Sequence, residues 1–183
     1  IRIMTNMEIY WDHIFFSNYN SDAPVISNIL KPVSADIHYR GFSRSYRKGG
    51  RYGPHWFDYA NVDTNRRWRD LTGNYTRYGD VLPLLLASDS KYIISNSGDE
   101  TSINFSTLGL PELKKGWIRD FLIHSVGWVK DGDLNTALGN TVLPLPFHGM
   151  AGYPPGKMDA YPNDPEHQNF INDYNTRKVS NDS

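Results

Sequence analysis

The chain has 183 residues, with 19 basic and 20 acidic side chains, so no net electrostatic field attracts nucleic acid or an anionic membrane to it. The absence of cysteine excludes disulfides, thiolate catalysis, iron–sulfur clusters and cysteine-based zinc sites. The length suits one domain with a substantial core. The 5 Trp, 12 Tyr and 8 Phe residues favour β structure and binding surfaces.

The chain opens on a strand pattern. Residues 8–16 (EIYWDHIFF) alternate between polar and apolar side chains, which predicts a half-buried strand. Because natural termini are usually frayed and solvated, this start leads us to expect a piece of a longer polypeptide.

Further elements follow in short pieces bounded by Gly, Pro, Asn and Asp. We predict strands at 33–47 with a bulge at Gly41, at 91–96, at 101–106 and at 117–129. Between the first two, residues 48–78 predict a long organised loop and residues 79–88 a helical turn. Near the C-terminus, residues 165–177 predict a short helix, with Asp164 as N-cap, Pro165 at the first position and Glu166 in the first turn.

Several short strands with long connections predict an all-β fold, an antiparallel β-sandwich of jelly-roll or galactose-binding-like type with long loops and a short C-terminal helix. We expect a sandwich domain over residues 1–150 and a proline-rich extension over residues 151–183. The alternating apolar side chains expected to share its core are Ile9, Trp11, Ile14, Ile93, Phe105, Phe121 and Trp128.

One loop has the oxygen ligands that calcium prefers. Asp131, Asp133 and Asn135 stand at alternating positions, a spacing that can wrap a Ca²⁺ ion. A complete EF-hand loop is not met, because Thr136 and Val142 occupy its glycine and glutamate positions. A solvated turn is the alternative interpretation, and calcium is the only cofactor that the sequence suggests.

Arginine and aromatic residues concentrate between residues 40 and 77, in a segment with little aliphatic content. Such a mixture dominates protein-binding hot spots and also suits a sugar-binding face. A single-stranded nucleic-acid platform uses similar residues, but nearby acids and the neutral charge argue against it. The predicted binding surface comprises Arg40, Arg44, Arg47, Arg51, Tyr52, His55, Trp56, Trp68 and Tyr75.

No motif identifies a catalytic residue. The six histidines show no zinc-binding spacing, although His55 and His148 lie in Gly/Pro/aromatic loops where they could meet a ligand. A G-x-S-x-G nucleophile elbow is absent from the sequence. Two carboxylates from distant positions can form a hydrolase active site in the folded protein without any sequence motif. A hydrolase therefore remains the third alternative.

Several longer segments resemble a known family. They include ADIHYRGFSRSYRKGGRYGPHWFDY, WRDLTGNYTRYGDVLPLL, GWIRDFLIHSVGWVKDGDLNTALGNTVLPLPFHGM and YPNDPEHQNFINDYNTR. These resemble the C-terminal region of large bacterial extracytoplasmic proteins with FG-GAP repeats and an ASPIC/UnbV segment, relatives of cartilage acidic protein. The resemblance implies a periplasmic, cell-surface or secreted protein with an accessory role, and it carries over no site residues.

Together these features predict a non-catalytic binding or assembly module that docks a protein partner or a neighbouring domain of its parent protein. A carbohydrate-binding module that stacks Trp and Tyr rings on sugars is the alternative. Neither nucleic acid nor a transmembrane segment is expected.

Overall fold

The computed structural model describes residues 24–65, 71–130, 132 and 137–180. Within them the fold is mostly β, with antiparallel sheets and one short α-helix, as the sequence predicts. The strands are β1 (Pro32–Tyr39), β2 (Phe42–Arg47), β3 (His55–Asp63), β4 (Gly73–Tyr75), β5 (Gly79–Asp80), β6 (Asp99–Phe105) and β7 (Arg177–Val179). A 3₁₀ helix, Leu82–Leu85, follows β5, and helix α1 spans Pro165–Asp173.

Strand β1 is the centre of a three-stranded sheet in the order β5-β1-β6. Its side chains alternate, so that Ala35 and Ile37 are buried while Ser34 and Asp36 are exposed. Strand β6 runs antiparallel to it, with Ile37 opposite Thr101. The alternation of the sequence therefore sets which face of this sheet meets the core.

The core lies against the inner face of this sheet. Ile37 and Val81 are fully buried there. The core cluster comprises Ala35, Ile37, Tyr75, Val81, Leu84, Val142, Leu145 and Phe170. Because these residues come from both ends of the described chain, long-range packing holds the fold together.

Helix α1 confirms the predicted start at the C-terminal segment, but it ends at Asp173, short of the predicted 177, because Arg177–Val179 pairs with β4 instead. The Asp164 side chain accepts hydrogen bonds from the backbone N–H groups of Glu166 and His167, and Pro165 occupies the first turn. Phe170 is the buried residue of the helix, and β7, which follows it, pairs with β4. Helix and strand therefore pack onto the same core as β1.

Strands β2 and β3 form a separate two-stranded hairpin. The sequence predicted an irregular loop over 48–78, and that prediction is wrong for β3 and β4, which are both paired strands. The turn is possible because Gly49 and Gly50 adopt φ values of 91° and 96°, where larger residues are strained. At the base, Gly41 breaks the predicted strand into β1 and β2, and a Cβ there would lie 2.6 Å from the carbonyl oxygen of Asp63.

Two predicted strands are absent from the described residues. Residues 117–129 and 91–96 pair with no strand of the described chain. In the second segment, the backbone of Ile94 is hydrogen-bonded to one residue, Thr76, and a single residue does not make a ladder. The Ile94 N–H donates to Thr76 Oγ1 and its carbonyl accepts from Thr76 N–H. The helical turn predicted within 79–88 is present as the 3₁₀ helix, and the strand at 101–106 is β6.

The predicted core is wrong at three positions. Phe105, Phe121 and Trp128 remain 46%, 63% and 52% exposed, since the segments around them do not pack against the buried cluster. Ile93 is half-buried against that cluster. Ile9, Trp11 and Ile14, with the strand predicted at 8–16, lie outside the described residues.

Every helix in the described part of the chain is too short or too polar to cross a lipid bilayer.

Candidate binding surface

The β2–β3 hairpin, residues 42–63, is here called the arm. Neither strand contacts another strand or helix within the described residues. Exposed side chains therefore line both of its faces. Large aromatic residues of the arm stay in contact with solvent, among them Tyr46, Tyr52, Trp56, Phe57 and Tyr59.

One face of the arm carries an aromatic row along β3. The ring centroids of His55 and Phe57 lie 6.3 Å apart with a stacked orientation. The centroids of Phe57 and Tyr59 are also 6.3 Å apart. This spacing follows from the two-residue period of a strand, about 6.8 Å, so the row is a product of the strand that the sequence did not predict.

The other face combines Trp56 with basic residues. Tyr46 lies directly opposite Trp56, and Arg44 lies opposite Asp58. The Lys48 ammonium stands 5.1 Å from the centre of the Trp56 ring, a cation–π contact. Trp56 is half exposed, and the Lys48 ammonium lies over its ring.

The tip of the arm is basic. The segment from Arg44 to Phe57 contains four Lys or Arg residues and no acidic residue. Arg51 lies 5.6 Å from the centre of the Tyr52 ring, and Arg47 Nη1 donates to the carbonyl of Gly53 at 3.2 Å. No salt bridge joins these cations to a carboxylate among the described residues. Their charge is therefore available to a partner.

Arg40 fastens the base of the arm. Its Nε lies 2.9 Å from Glu100 Oε2, Nη1 donates to Ser43 Oγ at 3.0 Å, and Nη2 donates to the carbonyl of Tyr59. Arg40 thus links β6 to both strands of the arm. These bonds occupy its guanidinium, although the sequence placed Arg40 on the binding surface.

Most of the remaining residues predicted for the binding surface lie on the arm. Arg44, Arg47, Arg51, Tyr52, His55 and Trp56 are exposed on the arm. Tyr75 is a correction, because it is only 3% exposed and belongs to the core, where its hydroxyl donates to the carbonyl of Leu71 at 2.7 Å. Trp68 lies outside the described residues.

A second arginine–tyrosine cluster lies at the core. The Arg177 guanidinium stands 4.3 Å from the centre of the Tyr78 ring and 5.3 Å from that of Tyr75. It contacts Asp99 Oδ2 at 2.5 Å, and the Asp99 side chain is 1% exposed. Burial, together with the hydrogen bond from its hydroxyl to Asp99, raises the pKa of Tyr78 to about 12. These interactions stabilise the fold and leave no charge for a ligand.

Sequence reasoning missed this cluster. Asp99 occupies a Gly-Asp turn, and Arg177 follows the C-terminal helix, so nothing local distinguishes them from solvated residues. The contact spans 78 positions in the sequence. Only the ladder between β4 and β7 brings Arg177 beside Tyr75.

His148 lies in a small polar cluster that resembles a nucleophile–base pair only in composition. Ser90 Oγ is 3.5 Å from His148 Nδ1, and the same oxygen accepts the backbone N–H of His148 at 3.0 Å. Tyr92 Oη lies 3.4 Å from Nδ1. No carboxylate of the described residues hydrogen-bonds to this imidazole, so the arrangement offers no catalytic triad.

Within the described residues, no three His, Asp or Glu side chains are arranged to hold a metal ion. Asp131, Asp133 and Asn135 lie outside those residues, so the calcium site stays a prediction. Thermal unfolding with added calcium and with a chelator would test it, since an ion bound to the folded state alone raises the melting temperature.

Comparison of the chain with protein-family models, with curated proteins and with solved structures finds no match.

Proposed function

We propose that this chain is a non-catalytic binding or assembly module and that the arm docks a protein partner or a neighbouring domain. The observation that carries the proposal is the isolation of β2 and β3 from the other described elements. A two-stranded hairpin by itself is at best marginally stable in water. A partner that covers the arm would bury its aromatic faces and stabilise it.

The composition of the arm supports a protein partner. Tyr, Trp and Arg are the residues enriched in interface hot spots, and Tyr46, Trp56 and Arg47 expose all three types on adjacent strands. A sugar would need free ring faces for stacking. Lys48 and Arg51 already lie over Trp56 and Tyr52, which favours a protein over a glycan.

The setting and the finer architecture are part of the same proposal. The family resemblance supports a periplasmic, cell-surface or secreted protein. The three-stranded sheet, with Tyr75 of β4 and Phe170 of α1 in its core cluster, supports the sandwich interpretation, in which β5-β1-β6 forms one layer.

Site-specific photo-crosslinking of the full chain, in the cells that produce it, tests the proposal. A benzophenone amino acid replaces Tyr52, which is 89% exposed at the tip of the arm. The matched control replaces Met158, which is 97% exposed outside the arm. We expect protein crosslinks from position 52 that the control lacks and that Trp56→Ala reduces by roughly tenfold, as loss of an interface anchor implies.

Glycan arrays supply the opposing measurement. A glycan signal that Trp56→Ala abolishes, without protein crosslinks from position 52, would replace the proposal by the carbohydrate-binding alternative. Crosslinks of equal intensity from positions 52 and 158 would refute a specific role for the arm.

A further inference from the structure

We propose that residues 8–16 of this chain cover an apolar concavity to which the segments 24–30 and 113–130 contribute. The proposed contact does not involve the arm. Three features carry it: the exposed apolar lining of the concavity, the opposite charges of the two partners, and the short length of chain that joins them.

The concavity is lined mainly by apolar side chains, and both segments contribute to it. Ile29 and Leu122 are 93% and 98% exposed there, and Val129 is almost as exposed. A large contiguous apolar surface is rare on a monomeric protein and marks a contact with another element or molecule. The lining is therefore a surface that some apolar segment covers.

Residues 8–16 have the sequence that such a surface needs. They lie outside the described residues, and their sequence, EIYWDHIFF, alternates between polar and apolar side chains. A segment with this pattern has one apolar face to bury. Residues 117–129 have an apolar strand pattern of their own and pair with no strand of the described chain. The two patterns are thus complementary in chemistry.

Charge favours the same pairing. Residues 113–130 contain four basic side chains and one acidic side chain, whereas residues 1–23 contain one basic and three acidic side chains. Among the described residues, no salt bridge joins Lys114, Lys115 or Arg119 to a carboxylate. Opposite charges on two surfaces favour their contact and disfavour partners of the wrong sign.

Connectivity separates this occupant from a second copy of the chain or another acidic protein. Pro24 lines the concavity, and residue 16 precedes it by eight positions, a reach of at most about 29 Å. A segment on so short a tether has an effective concentration of roughly millimolar. A separate molecule would need to match that concentration to compete.

The contact also has a consequence for binding. A concavity filled by residues 8–16 is closed to an external protein, although its apolar side chains would otherwise attract one. The exposed aromatic residues of the arm would then be the surface left for a partner.

Photo-crosslinking of the purified full chain tests the contact. A benzophenone amino acid replaces Leu122, inside the concavity, and the control replaces Met158, which is equally exposed but does not line it. Mixing chains labelled with ¹⁵N and unlabelled chains distinguishes crosslinks within one chain from those between two. Fragment-ion spectra assign the crosslinked residue. We expect crosslinks from position 122 to residues 8–16 of the same chain, at least about tenfold more than from position 158.

Variants test the chemistry of the contact. Trp11→Asp should reduce these crosslinks by about tenfold or more, as loss of a buried aromatic anchor implies. The control Met158→Asp makes the same change in charge on an exposed side chain and should leave them within about twofold. A cooperative urea transition in both variants checks that the fold persists.

A charge exchange keeps every apolar side chain in place. Glu8→Lys with Asp12→Lys should reduce the crosslinks several-fold at low ionic strength. Adding Lys114→Glu and Lys115→Glu to that variant should restore them, because the two surfaces are then again of opposite charge.

Equal crosslinking from positions 122 and 158 would overturn the inference, as would crosslinks that Trp11→Asp leaves undiminished. Crosslinks that join only chains of different isotope content would assign the concavity to a second copy instead. Sedimentation with phosphatidylglycerol vesicles, lost on Lys114→Glu with Lys115→Glu and without crosslinks to residues 8–16, would assign it to a lipid surface.

Discussion

The arm and the rest of the described chain, here called the body, use the same residue types for opposite purposes. In the body, Arg177 contacts the rings of both Tyr75 and Tyr78 and pairs with the buried Asp99. In the arm, Arg51 lies over the exposed Tyr52 without a carboxylate. The presence of arginine beside tyrosine therefore does not distinguish a role in folding from a role in binding. Burial and the presence of an acidic partner distinguish them.

The difference has a thermodynamic consequence. Ile37 contributes to folding because its apolar surface is removed from water. The buried Asp99 carboxylate loses its hydration on folding, so the fold depends on its pairing with Arg177 to offset that cost. Exposed rings and cations of the arm keep their hydration, so they contribute little to folding and become valuable when a partner covers them. Changes in the body should therefore alter the free energy of unfolding, whereas changes in the arm should alter binding.

The largest effect is expected at the buried ion pair. Arg177→Met leaves the Asp99 carboxylate, which is 1% exposed, without its counter-charge, and removal of one partner of a buried pair costs about 3–5 kcal/mol. Denaturant unfolding measures this loss. The control Arg51→Met removes an exposed arginine over a tyrosine and should leave the free energy of unfolding within about 0.5 kcal/mol of the wild type. Equal losses of unfolding free energy in Arg177→Met and Arg51→Met would show that the two regions do not differ in their contribution to stability.

The core supplies the next comparison. Ile37→Ala removes a fully buried side chain and should lower the free energy of unfolding by about 2–5 kcal/mol. Phe57→Ala removes a larger side chain from the arm, but that ring is half exposed, so the cost should stay below about 1 kcal/mol. Chemical denaturation of both variants decides whether burial or size governs stability here. A greater loss for Phe57→Ala would mean that the arm is part of the folding core.

The sequence predicted the elements whose signals are local. The cap at Asp164, the proline at 165 and the strand patterns of β1 and β6 are each visible within a few residues, and all of these elements occur in the structure. The burial of Tyr75 depends on residues far away in the sequence, such as Phe170. Strand β3 instead pairs with the preceding strand β2, so its signal is local, in the turn at Gly49 and Gly50, and the loop prediction overlooked it. Residues 117–129 show the reverse case, because their apolar pattern predicts a strand that no described neighbour pairs with.

A smaller and pH-dependent effect is expected at the start of α1, on the surface of the body. The backbone N–H of His167 donates to the Asp164 carboxylate and lowers the pKa of that group. The carboxylate therefore stabilises the fold above its unfolded pKa of about 3.9, and this contribution is lost as the pH falls through the lower folded pKa.

Urea unfolding from pH 5 to pH 2 should show Asp164→Ala less stable than the wild type at the upper end, with the difference shrinking toward the lower end. Asp164→Asn is the control, because asparagine also caps helices and its amide does not titrate. A difference between Asp164→Ala and wild type that does not change with pH would show that the charge of Asp164 contributes nothing.

The smallest effect on folding is expected at the tip of the arm. Tyr52 is 89% exposed, and its ring contacts only the exposed Arg51 among the interactions of the described chain. Tyr52→Ala should therefore change the free energy of unfolding by no more than about 0.5 kcal/mol. Tyr75→Ala, the same substitution in the core, should cost about 3–5 kcal/mol by analogy with other large aromatic truncations. If Tyr52→Ala destabilises the chain as much as Tyr75→Ala, the tip is packed in the folded protein, and its side chains are not free to receive a partner.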